Sequence, residues 1–150
     1  MCCSELQKQL EAPTKTDCFS PSSGAKENGK KFNFDNRSHK TICRVRVDGC
    51  LITSQEVKKC DFLFKVCEDD RYYLVELKGG AVDEAVLQII STFDIVNAKV
   101  KTLPEKYAGV IVSSSVPAGT EQKFRRLQEK VYREKHLRIK KTHFQHTEPV

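Results

Sequence analysis

Asp61, Glu76 and Lys78 are the residues whose types and spacing can do chemistry. They lie within residues 59–80, KCDFLFKVCEDDRYYLVELKGG. Residues 60–67 are mostly apolar and 72–78 are again apolar and β-rich, while Glu68, Asp69, Asp70 and Arg71 turn the chain between them. An antiparallel hairpin with Cys67 opposite Tyr72 sets Leu63 opposite Glu76 and Asp61 opposite Lys78. Side chains alternate faces with a period of two, so Asp61, Glu76 and Lys78 converge on one face at one end of the hairpin. Two carboxylates and an ammonium beside apolar residues are costly to desolvate unless a metal or a substrate uses them. The competing expectation is a structural ion pair between Asp61 and Lys78 with Glu76 solvated. An exposed pair of that kind contributes only about 0–1 kcal/mol, so stability alone gives weak reason for the arrangement.

An Asp followed about fifteen residues later by Glu-x-Lys, with the second motif closing a hydrophobic strand, resembles the PD-(D/E)xK phosphodiesterase superfamily. The matching positions are Asp61 and Glu76-Leu77-Lys78, with Cys60 in place of the proline of the first motif. The context agrees: a strand opening with Asp, two glycines after the Lys, then an amphipathic helix and a buried strand, over roughly residues 41–145. The resemblance implies a restriction-endonuclease-like α/β core, a central mixed β-sheet flanked by helices, and a metal-dependent nuclease. Asp61, Glu76 and Lys78 are then the catalytic residues. Mg²⁺ (or Mn²⁺) would be held by Asp61, Glu76 and the main-chain carbonyl of Leu77, since hard cations prefer oxygen donors. The cation lowers the pKa of a bound water and screens the phosphate, and Lys78 orients that water or stabilises the transition state. Some relatives place a polar residue of the following helix, often Gln, at the site; Gln88 matches it, with a surface glutamine as the equal alternative. DNA is expected over RNA as substrate, because DNA is commonest in the family.

The elements that must position these residues are legible in outline. Ser4 can cap a short helix over 5–12, ended by Pro13. Residues 14–37 are rich in Ser, Gly, Lys, Asn and Pro, which predicts a loop or a loosely attached arm. The domain division expected is therefore a partly flexible arm over 1–40 and a nuclease-like domain over 41–150. Residues 41–47 are β-rich, and Asp48-Gly49 predicts a hairpin turn into residues 50–52. Arg44 and Arg46 share one strand face, either solvated or touching phosphate. Glu56, just before the first motif, is a candidate additional carboxylate, exposure being the default for Glu. Val82, Val86, Ile89, Ile90, Phe93 and Val96 recur at helical spacing up to about Ala98. Residues 107–112 read as a central strand, 121–135 as a long helix that Thr120 can cap, and 137–141 as an edge strand.

The net charge of +6 permits a polyanionic partner. From 121 to 150 there are nine Lys or Arg against four Glu, +5 of that +6. Lys123, Arg126, Lys130 and Arg133 on the last helix are the candidate nucleic-acid contacts, against the alternative of a solvated face. A homodimer is compatible with the sequence. No apolar run reaches the eighteen residues of a membrane span, and the amino terminus lacks the apolar core of a secretory signal, so a cytoplasmic protein with no membrane partner is expected. Seven cysteines without a C-x-x-C pair signal neither a disulfide framework nor an ordinary zinc site; reduced thiols acting as small core residues are expected, with zinc as the alternative. Two rival functions stay open. One is a non-catalytic nucleic-acid-binding module with a nuclease-like fold; the other is a small structural or zinc-bound interaction protein.

Overall fold

The computed structural model describes residues 2–77, 81–114 and 119–150. In chain order it forms α1 (Cys2–Gln9), β1 (Phe19–Ser20), β2 (Gly24–Glu27), β3 (Lys30–Asp35), β4 (Ile42–Arg46), β5 (Phe62–Val66) and β6 (Arg71–Glu76). Then follow α2 (Val82–Val100), β7 (Tyr107–Ser113), α3 (Thr120–Lys135), β8 (Arg138–His143) and β9 (Gln145–Pro149). A six-stranded sheet has the order β1-β4-β5-β6-β7-β8. Its neighbours are antiparallel from β1 to β6 and parallel from β6 to β8. The chain is thus an α/β fold with a mixed sheet and, among the described residues, three helices.

Period-two alternation splits the apolar residues of this sheet into two cores. Val45, Leu63, Leu74 and Ile111 meet Leu6 of α1, Val86, Ile89 and Phe93 of α2, and Phe124 and Val131 of α3. Phe62, Phe64, Tyr73, Val75, Val110 and Val112 pack instead against Ala25, Phe32 and Phe34. Those last residues belong to a second sheet of order β2-β3-β9, which covers the face opposite the helices. Rings interlock there edge to face, Phe34 lying 5.3 Å from Phe64 and 5.1 Å from Tyr73 between centroids.

Residues 14–37, expected as loop or arm, therefore hold three strands. The β2–β3 hairpin turns at Asn28 and Gly29, both at positive φ (53° and 75°), and pairs Glu27 with Lys30. That is the conformation for which Asn-Gly is favoured in a two-residue hairpin loop. Residues 50–52, expected as a strand, form a compact turn, with the Lys15 ammonium donating to the carbonyls of Cys50 (2.9 Å) and Leu51 (3.0 Å).

The cysteines also correct an expectation. Six of the seven form disulfides, Cys2–Cys67, Cys3–Cys43 and Cys18–Cys50, with Cα atoms 6.1, 5.3 and 5.7 Å apart. Cys60 is a buried thiol. The first two bridges fasten α1 across β4 and the β5–β6 turn; the third fastens the segment before β1 to the turn after β4. With six sulfurs oxidised, the zinc-thiolate alternative is left with the single buried thiol of Cys60.

Gly109 of β7 decides how closely α2 approaches the sheet. A Cβ at this position would stand 2.7 Å from Cγ2 of Ile89 and 2.8 Å from Cγ2 of Ile139. Gly109→Ala is expected to lower stability by about 1–3 kcal/mol through overpacking, read as a lower urea midpoint at unchanged m-value. An unchanged midpoint would mean that α2 shifts without cost.

Candidate active site

The carboxyl ends of β6, β7 and β8 lie at one edge of the sheet, together with the amino ends of α2 and α3 and the start of β5. In open α/β sheets this edge is where ligands bind. The ladder between β5 and β6 runs from Val66↔Arg71 to Phe62↔Val75. This register differs by two residues from the one expected, and Leu63 faces Leu74 rather than Glu76. The cause is Cys67. Its N–H donates to the Thr41 carbonyl (2.9 Å) and its sulfur joins Cys2, so it leaves the hairpin ladder and the loop becomes residues 67–70. An offset of two preserves the faces, whereas an offset of one would have turned Asp61 to the opposite side.

Asp61 sits just outside the regular ladder and brackets Glu76. Its N–H donates to the Val75 carbonyl at 3.1 Å, and its Oδ2 accepts the N–H of Leu77 at 2.8 Å. Its carbonyl accepts the N–H of Val47 at 2.9 Å, so it is also tied to the end of β4. Glu76 follows Tyr72 and Leu74 on the helix side of β6. Both acids are enclosed, Asp61 with 3% and Glu76 with 0% of its surface exposed. Leu77 is buried between them and the second core.

Two supporting residues had little sequence signal. The Thr92 hydroxyl, in the middle of α2, accepts the N–H of Cys60 at 2.9 Å and donates to the Gln88 carbonyl at 2.9 Å. It thereby docks the helix on the residue preceding Asp61. Only its placement one turn from Gln88 could have suggested it. Burial pushes the Cys60 thiol up, the Thr92 contact opposes this, and the charges of Glu76 and Asp61 push it up further. Both carboxylates thus act on one sulfur. Lys59 is buried too, its ammonium donating to the carbonyls of Ser54 (2.7 Å) and Val57 (3.1 Å), which fixes the approach to Asp61.

Of the other candidates, Lys78 lies outside the described residues. Glu56 is exposed in the turn before β5, its N–H donating to the Ser54 hydroxyl at 3.3 Å. Gln88 is half-buried on α2. Lys123, Arg126, Lys130 and Arg133 are all exposed along α3, and Lys123 pairs with Asp83 of α2 at 3.4 Å. That pair brings the amino end of α3 to the amino end of α2.

The donor chemistry fits a hard divalent cation. Mg²⁺ typically takes one or two carboxylates and completes its shell with water, and Asp61 is hydrogen-bonded to the main chain on either side of Glu76. Among the described residues no group of three or more His, Cys, Asp or Glu converges into a protein-only cage. No family model, no curated protein and no solved structure matches the chain. Among the described residues, no helix is long and apolar enough to cross a membrane.

Proposed function

We propose that this chain is a metal-dependent nuclease with a restriction-endonuclease-like core, hydrolysing phosphodiester bonds, DNA ahead of RNA. The observation that carries the reading is the enclosure of Asp61 and Glu76 at the carboxyl edge of the sheet, with Asp61 bonded to the residues on either side of Glu76. The order of an antiparallel hairpin carrying both motifs, a covering helix and a parallel central strand supports it.

A bound divalent cation would lower the pKa of a water at the scissile phosphate and offset charge on the transferring group. Asp61, Glu76 and the Leu77 carbonyl are the groups to hold it. The protein's own work is positional. The hydrogen bond from Leu77 keeps one oxygen of Asp61 in place, and Thr92 locks the approach to Asp61 onto α2. The apolar surroundings of Glu76 exclude bulk water, which strengthens each charge interaction inside. The expected role of Lys78 is to orient the attacking water or offset charge in the transition state. Three disulfides support an oxidising compartment over the cytoplasmic one expected from the sequence.

Purified protein incubated with single- and double-stranded DNA and RNA should cleave with Mg²⁺ and not with chelator. Ca²⁺ should support binding without turnover, because its looser coordination positions water poorly. Binding without cleavage on every substrate, with Mg²⁺ and Mn²⁺ both tried, would replace the enzyme with a nuclease-like binding module.

A further inference from the structure

We infer that the open edge of β8 docks an extended segment of a partner protein, which joins the large sheet as an added strand and alternates apolar with acidic residues. This does not rest on the nuclease reading, and either can fail without the other.

β8 is the last strand of the six-stranded sheet, so only one of its edges is paired. The Phe144 N–H donates to the Ser113 carbonyl at 2.8 Å, and the Thr142 carbonyl accepts the Ser113 hydroxyl at 3.3 Å. Even-numbered residues therefore turn their peptide groups toward β7, and Ile139, Lys141 and His143 turn theirs outward. Two contacts agree. The Ile139 carbonyl accepts the side-chain amide of Gln128, from α3, at 2.6 Å, where a neighbouring strand would place an N–H. Lys141 is half-exposed as a residue while its side chain keeps only 2% of its surface, so what it shows to solvent is main chain. A row of outward N–H and C=O groups is a template for a further strand. The outer edge of β9 is poorer in this respect, since it carries Pro149, which has no N–H to offer.

The side chains around the edge say what that strand carries. A depression of about 380 Å³ opens there between α3 and β8, lined by Gln128, Glu129, Tyr132, Arg138 and Ile139. Tyr132 is 42% exposed, and Ile139 faces the helix side of the sheet. Residues directly opposite on neighbouring strands share a face, so the partner residue opposite Ile139 rises against the Tyr132 ring and is apolar. At the rim the Arg138 guanidinium carbon lies 5.2 Å from the centroid of that ring and forms no ion pair among the described residues. A carboxylate beside the apolar residue would meet Arg138, and Lys140 on the same strand remains 43% exposed. This is peptide recognition by strand addition, in which main-chain bonds give affinity and pockets for alternate side chains give specificity. A second copy of β8 does not fit: its sequence, Arg-Ile-Lys-Lys-Thr-His, has no carboxylate to offer Arg138 and would set cation against cation. Basic residues on an edge deter such self-pairing and admit an acidic strand.

The test follows amide hydrogen exchange residue by residue in the full chain. Without ligand, the amides of Lys141 and His143 should exchange rapidly and those of Lys140 and Thr142, bonded to β7, slowly. A pool of short synthetic peptides alternating apolar residues with Glu or Asp, at millimolar concentration, should slow Lys141 and His143. N-methylation of one alternate set of peptide residues should abolish the effect, and of the other set should spare it. Tyr132→Ala should weaken binding, and Arg138→Glu should shift the preference toward a pool with Lys in place of the acids. Both side chains are exposed at the rim, and an unchanged melting temperature checks that each variant folds. No slowing by the acidic pool, or equal slowing by the Lys pool, overturns the proposal. Amides already slow in the free chain, together with a dimer in sedimentation, overturn it in favour of a second copy. Slowing by a DNA strand and not by peptide overturns it too.

Discussion

Asp61→Asn should cleave nucleic acid at least a hundredfold more slowly than the parent chain while remaining folded and binding its substrate as tightly or more tightly. The amide retains an oxygen that can accept the Leu77 N–H, so the hydrogen bond at 2.8 Å that ties Asp61 to the end of β6 is preserved. What disappears is one negative charge and one hard oxygen ligand. Removing a single preorganised electrostatic contact from an active site typically costs about 2.7–4 kcal/mol, a hundred- to thousandfold in rate. Glu76→Gln should behave alike, and added Mg²⁺ should rescue either variant only in part. Binding holds or tightens because a carboxylate that repels phosphate has been neutralised. Single-turnover cleavage and equilibrium binding in Ca²⁺ separate the two quantities. Equal losses in both would make Asp61 a residue that shapes the site rather than one that acts in it.

Reduction of the disulfides should produce the largest fall in stability of any mild treatment. The bridges Cys2–Cys67, Cys3–Cys43 and Cys18–Cys50 close spans of 65, 40 and 32 residues. Native bridges are typically worth 2–4 kcal/mol each, and even at about 2 kcal/mol apiece the three sum to about 6 kcal/mol. That rivals the whole stability of an ordinary domain. At roughly 2–4 °C per kcal/mol for a chain of this size, the melting temperature should drop by roughly 12–24 °C in reductant. Chelator should leave it nearly unchanged, since a structural zinc would couple metal loss to unfolding. A melting temperature indifferent to reductant would return the cysteines to the role of plain core thiols.

These two expectations differ in how far the sequence disclosed them. Asp61 stands just before β5 and Glu76 ends β6, two strands legible as near-continuous apolar runs because both of their faces are covered. The loop position was less determined. Cys67 is pulled out of the ladder by Thr41 and Cys2, partners 26 and 65 residues distant, and no local pattern reports such a pull. The β2–β3 hairpin did have a local signal, Asn28-Gly29 with Ala25, Phe32 and Phe34 on one face, hidden among polar residues that suggested an arm. Strand β9 had none. Its burial alternates only between exposed and half-exposed, and it is a strand because β3 offers it an edge.

That pairing of β3 with β9 bears on how the chain is made. Beside it, the Ser38 hydroxyl donates to the Val150 carbonyl across 112 residues. At about 5–20 residues per second, the ribosome needs on the order of 6–22 s to supply the second half of such a contact. During that interval the β2–β3 hairpin has no third strand, and an isolated two-stranded hairpin is marginal in water. The aromatic face formed by Phe34, Phe64 and Tyr73 is correspondingly insecure in the nascent chain. The chain's susceptibility to aggregation is therefore concentrated in its synthesis, and it ends when the last strand emerges and closes the second sheet.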